Sequence, residues 1–229
     1  MNFFKLAFQN FKNPTPPEFS FKNIEKFLYI FYGVCMFEIF VFICLWILYP
    51  NKFLFFQYFF SELGASITKL GIPNNPGMIL FSVNMGIGAL GTLSFIPLIA
   101  KLFPHPKNSF YSTVRYINYC CIVLLSIGNI FVALPYTTYW IPHVLGGFLC
   151  IFSLWGIWCM FILFNTKWSL LQRVCILVIL NLFCAFVFFS ILLKWHMELL
   201  QKPGQGLVSA IVIIWPLVYY SQIKKNGTN

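Results

Sequence analysis

The chain has 229 residues, 60% of them hydrophobic and 9% charged, with fifteen Lys and Arg against five acidic residues. Soluble domains carry about 25% charged residues, so this composition excludes an ordinary soluble fold and indicates a polytopic membrane protein. The net charge of +10 comes without a nucleic-acid-binding motif, and its basic residues sit at the ends of apolar runs, which excludes nucleic acid as a partner.

Residues 1–26 form a cytoplasmic N-terminal segment. Phe4, Phe8 and Phe11 share a helical face beside Lys5 and Lys12, the pattern of a short interfacial helix, with a frayed terminus as the alternative. This stretch lacks a continuous apolar core and runs into Pro14, Pro16 and Pro17, so it is not expected to be a cleavable signal.

An all-α domain of six transmembrane helices in one bundle follows over residues 27–222. Spanning about 30 Å of hydrocarbon takes roughly 20 apolar residues, and lipid leaves no backbone group unpaired. The predicted spans are 27–49, 77–101, 114–134, 141–164, 171–193 and 205–220. Pro50 and Pro135 close the first and third, Pro76 and Pro142 fall at helix starts where a missing N–H is harmless, and Pro216 predicts a kink in the last.

The basic residues sort by side. Lys5, Lys12, Lys22, Lys26, Lys101, Lys107, Arg115, Lys167, Arg173, Lys224 and Lys225 flank one set of ends, and Lys52, Lys69, Lys194 and Lys202 the other. The bias toward the first set predicts that both termini, including the basic tail 223–229, are cytoplasmic. An even number of spans requires the two termini to share a side, in agreement with this. The sequon at Asn226 then lies in the cytoplasm and is expected to be unused.

The one long connection, 51–75, is an apolar outer loop crowded with Phe53, Leu54, Phe55, Phe56, Tyr58, Phe59 and Phe60. It is expected to lie at the headgroup level or fold over the bundle, delivering Ser61, Glu62, Leu63 and Gly64 to its mouth. Gly86, Gly88 and Gly91 in the second span and Gly146 and Gly147 in the fourth suggest that these two helices touch.

Eight cysteines all fall within predicted spans, so no disulfide framework is expected. Three pairs are spaced by nine residues, which turns half a circle on a helix and separates the partners, so they are read as small buried apolar residues rather than metal ligands. No metal centre or cofactor is expected. His196 and Glu198 are two apart and cannot share a helical face, and no paired-histidine motif is present.

Among the five acidic residues, Glu38 lies near the middle of the first span, where an ionised acid costs about 2.5–3.5 kcal/mol. It should be neutral, paired or facing a wet cavity, with Asn181 in the fifth span as a candidate partner. A second group collects at the outer face: Glu62, Asn74, Asn75, Asn84, His143, Lys194, His196, Glu198, Gln201 and Lys202. Of these, Glu62, Asn84, His143 and Glu198 are the candidate ligand-binding residues, and His143 and Glu62 the candidate catalytic pair. Ser61 or Ser66 could serve as nucleophile beside them, although no nucleophile-elbow motif is present.

The run Phe60-Ser61-Glu62-Leu63-Gly64, then Asn75-Pro76-Gly77 leading into a glycine-rich span, then Pro142-His143, resembles a six-span prokaryotic membrane family catalogued as domain of unknown function number 998. That family is distantly similar to the eukaryotic Frag/DRAM/Sfk superfamily. The resemblance implies that Glu62 fills the acidic position of a Ser-(Asp/Glu)-Leu-Gly signature, that His143 opens the fourth helix, and that Glu198, Gln201 and Lys202 form a polar cluster before the sixth. It also implies lipid as the ligand class and a prokaryotic cytoplasmic membrane as the location.

Four readings follow. The first is a non-enzymatic lipid-interacting protein that holds a lipid head or small amphiphile in an outer-leaflet cavity. The second is an intramembrane lipid hydrolase or acyltransferase using His143 and Glu62, the third a proton-coupled carrier using Glu38, and the fourth a structural subunit with protein partners in the membrane.

Overall fold

The computed structural model describes residues 24–51, 53, 60–96, 109–163 and 168–192. Within them, five α-helices follow one another: α1 (Ile24–Leu48), α2 (Asn75–Leu93), α3 (Ser109–Val132), α4 (Trp140–Leu163) and α5 (Leu170–Leu192), with a single 3-10 turn at Phe60–Gly64 before α2. The helices run from 19 to 25 residues, roughly 28 to 38 Å at 1.5 Å per residue. The segments Asn75–Leu93, Ser112–Val132 and Trp140–Met160 are each long and apolar enough to cross a membrane, while the apolar stretches Tyr32–Leu48 in α1 and Leu170–Leu182 in α5 are shorter. The expected sixth span with Pro216, the N-terminal segment and the basic tail lie outside the described residues.

Helix ends follow local chemistry. α1 stops at Leu48, because the residue before Pro50 is pushed out of the helical region. α2 begins at Asn75 with proline in its first turn, where the ring costs no hydrogen bond. It was expected to continue to 101, but the continuous helix ends at Leu93. There Ser94 Oγ donates to the Gly91 carbonyl at 2.6 Å, and the rest of the expected span, 97–101, lies outside the described residues. α5 opens on a reciprocal cap, in which Gln172 N donates to Ser169 Oγ at 3.2 Å and Ser169 N to Gln172 Oε1 at 2.9 Å.

The helices pack mainly in serial order, α1 on α2, α2 on α3, α3 on α4 and α4 on α5, with the Phe60–Gly64 turn against α2. This corrects the expected contact between the glycines of the second and fourth spans. A side chain at Gly146 would meet the Gly128 carbonyl oxygen at 2.7 Å and Val132 N at 2.7 Å, and one at Gly128 the Gly146 carbonyl oxygen at 2.9 Å. Gly146 therefore lets α4 close onto α3, through Gly128, a residue to which the sequence reading attached no role. The α2 glycines serve α1, since a side chain at Gly91 would meet Val34 at 2.6 Å.

Hydroxyls join adjacent helices through backbone carbonyls. Ser82 Oγ donates to Ala133 O at 2.6 Å and Ser126 Oγ to Ala89 O at 3.0 Å, each bond worth about 0.6 kcal/mol in a membrane setting. The core cluster of Val41, Leu45, Tyr49, Phe53, Leu63 and Phe81 fills the space between the loop-bearing half of α1, the start of α2 and the Phe60–Gly64 turn. Outward-facing positions are apolar, with Ile79 and Leu90 on α2, Ile141 on α4 and Leu171 on α5 well exposed, the surface a lipid solvent favours. Cysteines divide between the two settings: Cys35 is buried, whereas Cys120 and Cys175 are exposed on helix surfaces.

Candidate functional site

At one end of the bundle the connection before α2 folds into an ordered cap. Asn74 is buried and spends its amide on the chain behind it, Nδ2 donating to Leu63 O at 3.0 Å and Ala65 O at 3.1 Å. Its own backbone N donates to Ser66 O at 2.8 Å. Between these bonds the chain makes a tight turn in which Thr68 N donates to Ile72 O and Gly71 adopts φ 76°, a left-handed conformation that favours glycine. Gly64 lies so close to the Phe81 ring that a Cβ there would overlap it, which seats the cap on α2.

The cap carries an ion pair. Lys69 Nζ lies 2.8 Å from Glu62 Oε1, with the Lys69 side chain 43% exposed and that of Glu62 3% exposed. The apolar residues Ile67, Leu70 and Ile72 stand exposed beside the lysine. The cap is stitched to the α3–α4 connection by Ser66 Oγ and Thr137 Oγ1, 2.7 Å apart. Ser66 thereby has a hydroxyl partner other than His143.

That second connection brings His143 into the same region. His143 is buried, and its Nδ1 lies 2.7 Å from the Leu134 carbonyl oxygen. A carbonyl accepts only from an N–H, so Nδ1 carries the proton and a neutral ring would hold its lone pair on Nε2. Its ring stands 6.0 Å, centroid to centroid, from Tyr136. Burial holds the Tyr136 hydroxyl above its ordinary pKa, and the nearby Glu62 carboxylate adds to the effect. Tyr136 is thus the residue that connects the expected pair, with Glu62 bound to Lys69 on one side and His143 bound to Leu134 on the other. No motif singled it out in the sequence.

Asn84 belongs elsewhere. It lies ten residues along α2 from Asn74, roughly 15 Å, and is fully buried, with neither Nδ2 nor Oδ1 hydrogen-bonded. One turn further along the same face, a side chain at Gly88 would run into Glu38 Oε1 and lie 3.9 Å from Asn129 Nδ2. Asn129 Oδ1 is in turn 3.4 Å from Cys150 Sγ. Glu38 therefore faces α2 and α3. Asn181, its expected partner, accepts from Trp155 Nε1 at 3.2 Å and donates to Leu177 O at 2.7 Å, because α5 packs on α4 and not on α1. Glu198 and the rest of the expected polar cluster before the sixth span lie outside the described residues.

Fold and site together describe an all-helical chain with three helices fit to cross a bilayer, a polar cap at one end and a second polar group deep between α1, α2 and α3. No family model matches the chain, and comparisons with curated proteins and with solved structures give no match either.

Proposed function

We propose that the chain is a multi-pass membrane protein of six spans with both termini cytoplasmic, and that its capped end binds the head of an anionic lipid in the outer leaflet. The observation that carries this reading is Lys69, tethered at 2.8 Å to buried Glu62 and flanked by exposed Ile67, Leu70 and Ile72. A cation on a rigid loop among apolar side chains matches a phosphate above acyl chains. Exposed Tyr139 and Trp140 at the start of α4 suit the headgroup level, where such rings concentrate. The basic residues gathered at the opposite ends of the spans support the orientation, and the resemblance of the Ser61-Glu62-Leu63-Gly64 run supports lipid as the ligand class and a prokaryotic cytoplasmic membrane as the site.

In this reading Glu62 sets the position of the lysine, and Tyr136 and His143 close the polar floor behind it. The test compares lipids that co-purify with the wild type and with Glu62→Gln/His143→Ala and Lys69→Met variants, by mass spectrometry from mild detergent. Retention of an anionic lipid by the wild type and its loss from the variants is expected. Identical lipid profiles would overturn the assignment.

One observation favours a second reading, action on the lipid as an enzyme. The Leu134 carbonyl orients the His143 ring as a general base needs, with Nε2 left as the basic atom. Lipid breakdown products that depend on His143 in the same preparations would select this reading over simple binding.

A further inference from the structure

Deep between α1, α2 and α3, polar side chains from all three helices lie along one face of α2, at a place the lipid site does not use. Asn84 and Gly88 are four residues apart on α2 and share a face. The positions around Gly88 are occupied by Glu38 Oε1 from α1 and Asn129 Nδ2 from α3. Asn84 is 0% exposed and neither of its side-chain polar atoms has a hydrogen-bond partner. An amide has two N–H donors and an acceptor oxygen, and buried groups of this kind are normally satisfied, often by an internal water. The fully buried amide is an observation independent of the glutamate, and both point to the same small space.

What fits there is small. Toward the capped end, Val41, Leu45 and Phe81 are packed in the core cluster. On the other side, Val34 closes on Gly91. Apolar side chains therefore bound the group on both sides. A hard metal cation would need about six oxygen ligands, and here Asn129 Oδ1 already takes the Cys150 thiol.

Among the described residues of these helices, positive charge is also remote. Along the three helices the nearest basic residues are Lys26 on α1 and Arg115 on α3, roughly 18 Å and 21 Å away by helical rise from Glu38 and Asn129. The other titratable group beside Glu38 on its own helix is Cys35, about one turn away. α2 faces it with Asn84 and Gly88, α3 with Asn129, and α4 reaches the group through Cys150. A carboxylate in such surroundings is neutralised most simply by a proton.

We propose that Glu38, Asn84 and Asn129 form an intramembrane site that takes up one proton together with one bound water. In the uptake step a lone pair of the Glu38 carboxylate takes the proton from a hydronium ion. The products are a neutral carboxylic acid and a water, which stays hydrogen-bonded to Asn84. The charges of the carboxylate and the hydronium cancel, so the filled site is neutral, whereas the emptied site holds one negative charge, which favours refilling.

The experiment uses dicyclohexylcarbodiimide, an apolar reagent that adds to protonated carboxyl groups, on the full chain in membranes over a range of pH. Peptide mass spectrometry maps the adducts. Labelling of Glu38 that falls as pH rises is expected, with no adduct at position 38 in Glu38→Gln. In Asn84→Leu the proton-binding constant read from the pH midpoint of labelling should change by roughly three- to tenfold, the effect of about one hydrogen bond. Absence of Glu38 labelling in the wild type, or labelling that ignores pH, would overturn the proton site. An Asn84→Leu profile identical to the wild type would overturn the joint site. Either result is separate from the lipid comparison, which reads the capped end.

Discussion

At the scale of single residues, the capped end turns on how Glu62 is compensated. Its side chain is buried, and Lys69 supplies the opposite charge at 2.8 Å. Replacing one partner leaves the other charge poorly matched, whereas replacing both leaves a neutral site. Lys69→Met should therefore lower stability by about 1–3 kcal/mol, and Lys69→Met/Glu62→Gln by clearly less. Thermal unfolding of the three proteins in one detergent checks this, and equal losses for the single and double variants would show that the pair is not coupled. Tyr136 reports on the same carboxylate. Burial first and Glu62 second raise its pKa above 10.0, so the folded state keeps the phenol proton longer than the unfolded chain does. The stabilisation this brings is complete below about pH 10 and is lost as pH rises through the folded value. Glu62→Gln removes the second cause and should move the tyrosinate absorbance transition of Tyr136 to lower pH. A transition that stays in place would mean that burial alone acts on the hydroxyl.

At the scale of elements, glycine sets the helix spacing, and the structure distinguishes two kinds. A Cβ at Gly128 would meet backbone, the Gly146 oxygen at 2.9 Å and Cys150 N at 3.0 Å, so α3 and α4 would have to separate. A Cβ at Gly88 would meet the far end of a flexible side chain, the Glu38 carboxylate, which can swing away. Gly128→Ala is accordingly expected to cost about 1–3 kcal/mol, the usual range for overpacking, and Gly88→Ala much less. Ranking the melting temperatures of the two variants tests this order. The five described helices were legible in the sequence, because an apolar run of membrane length becomes helical without reference to any partner. Which helix touches which was not. Glu38 and Asn181 sit at similar depth and looked like partners, yet serial packing turns Glu38 toward α2 and gives Asn181 to Trp155. The cap was read as an apolar loop that presents Glu62. Its closure by Asn74, its turn at Gly71 and the choice of Lys69 as partner depend on backbone conformation, although the glycine and the asparagines were visible signals. Ser169 and Gln172 carried a capping signature that could have set the start of α5 to the residue.

At the scale of the whole molecule, two polar groups lie roughly 15 Å apart along α2, with an apolar layer between them built from Val41, Leu45 and Phe81. This layer separates the chemistry of the cap from that of the helix interior. A proton reaching Glu38 through the cap would have to cross packed hydrocarbon, so exchange from the opposite, cytoplasmic side is expected. That expectation depends on orientation, and orientation rests on the eleven basic residues at one set of span ends against four at the other. Cysteine accessibility tests both together. A cysteine at Lys69 should react with a membrane-impermeant maleimide added outside intact cells, and one at Lys225 only after the membrane is opened. In sealed vesicles of known orientation, a pH step on the cytoplasmic side should then change carbodiimide labelling of Glu38, while the same step outside leaves it unchanged. The reverse labelling of the two cysteines would invert the topology and place the cap in the cytoplasm. A Glu38 that responds to the outside would mean that the layer of Val41, Leu45 and Phe81 opens, making it a gate rather than a seal.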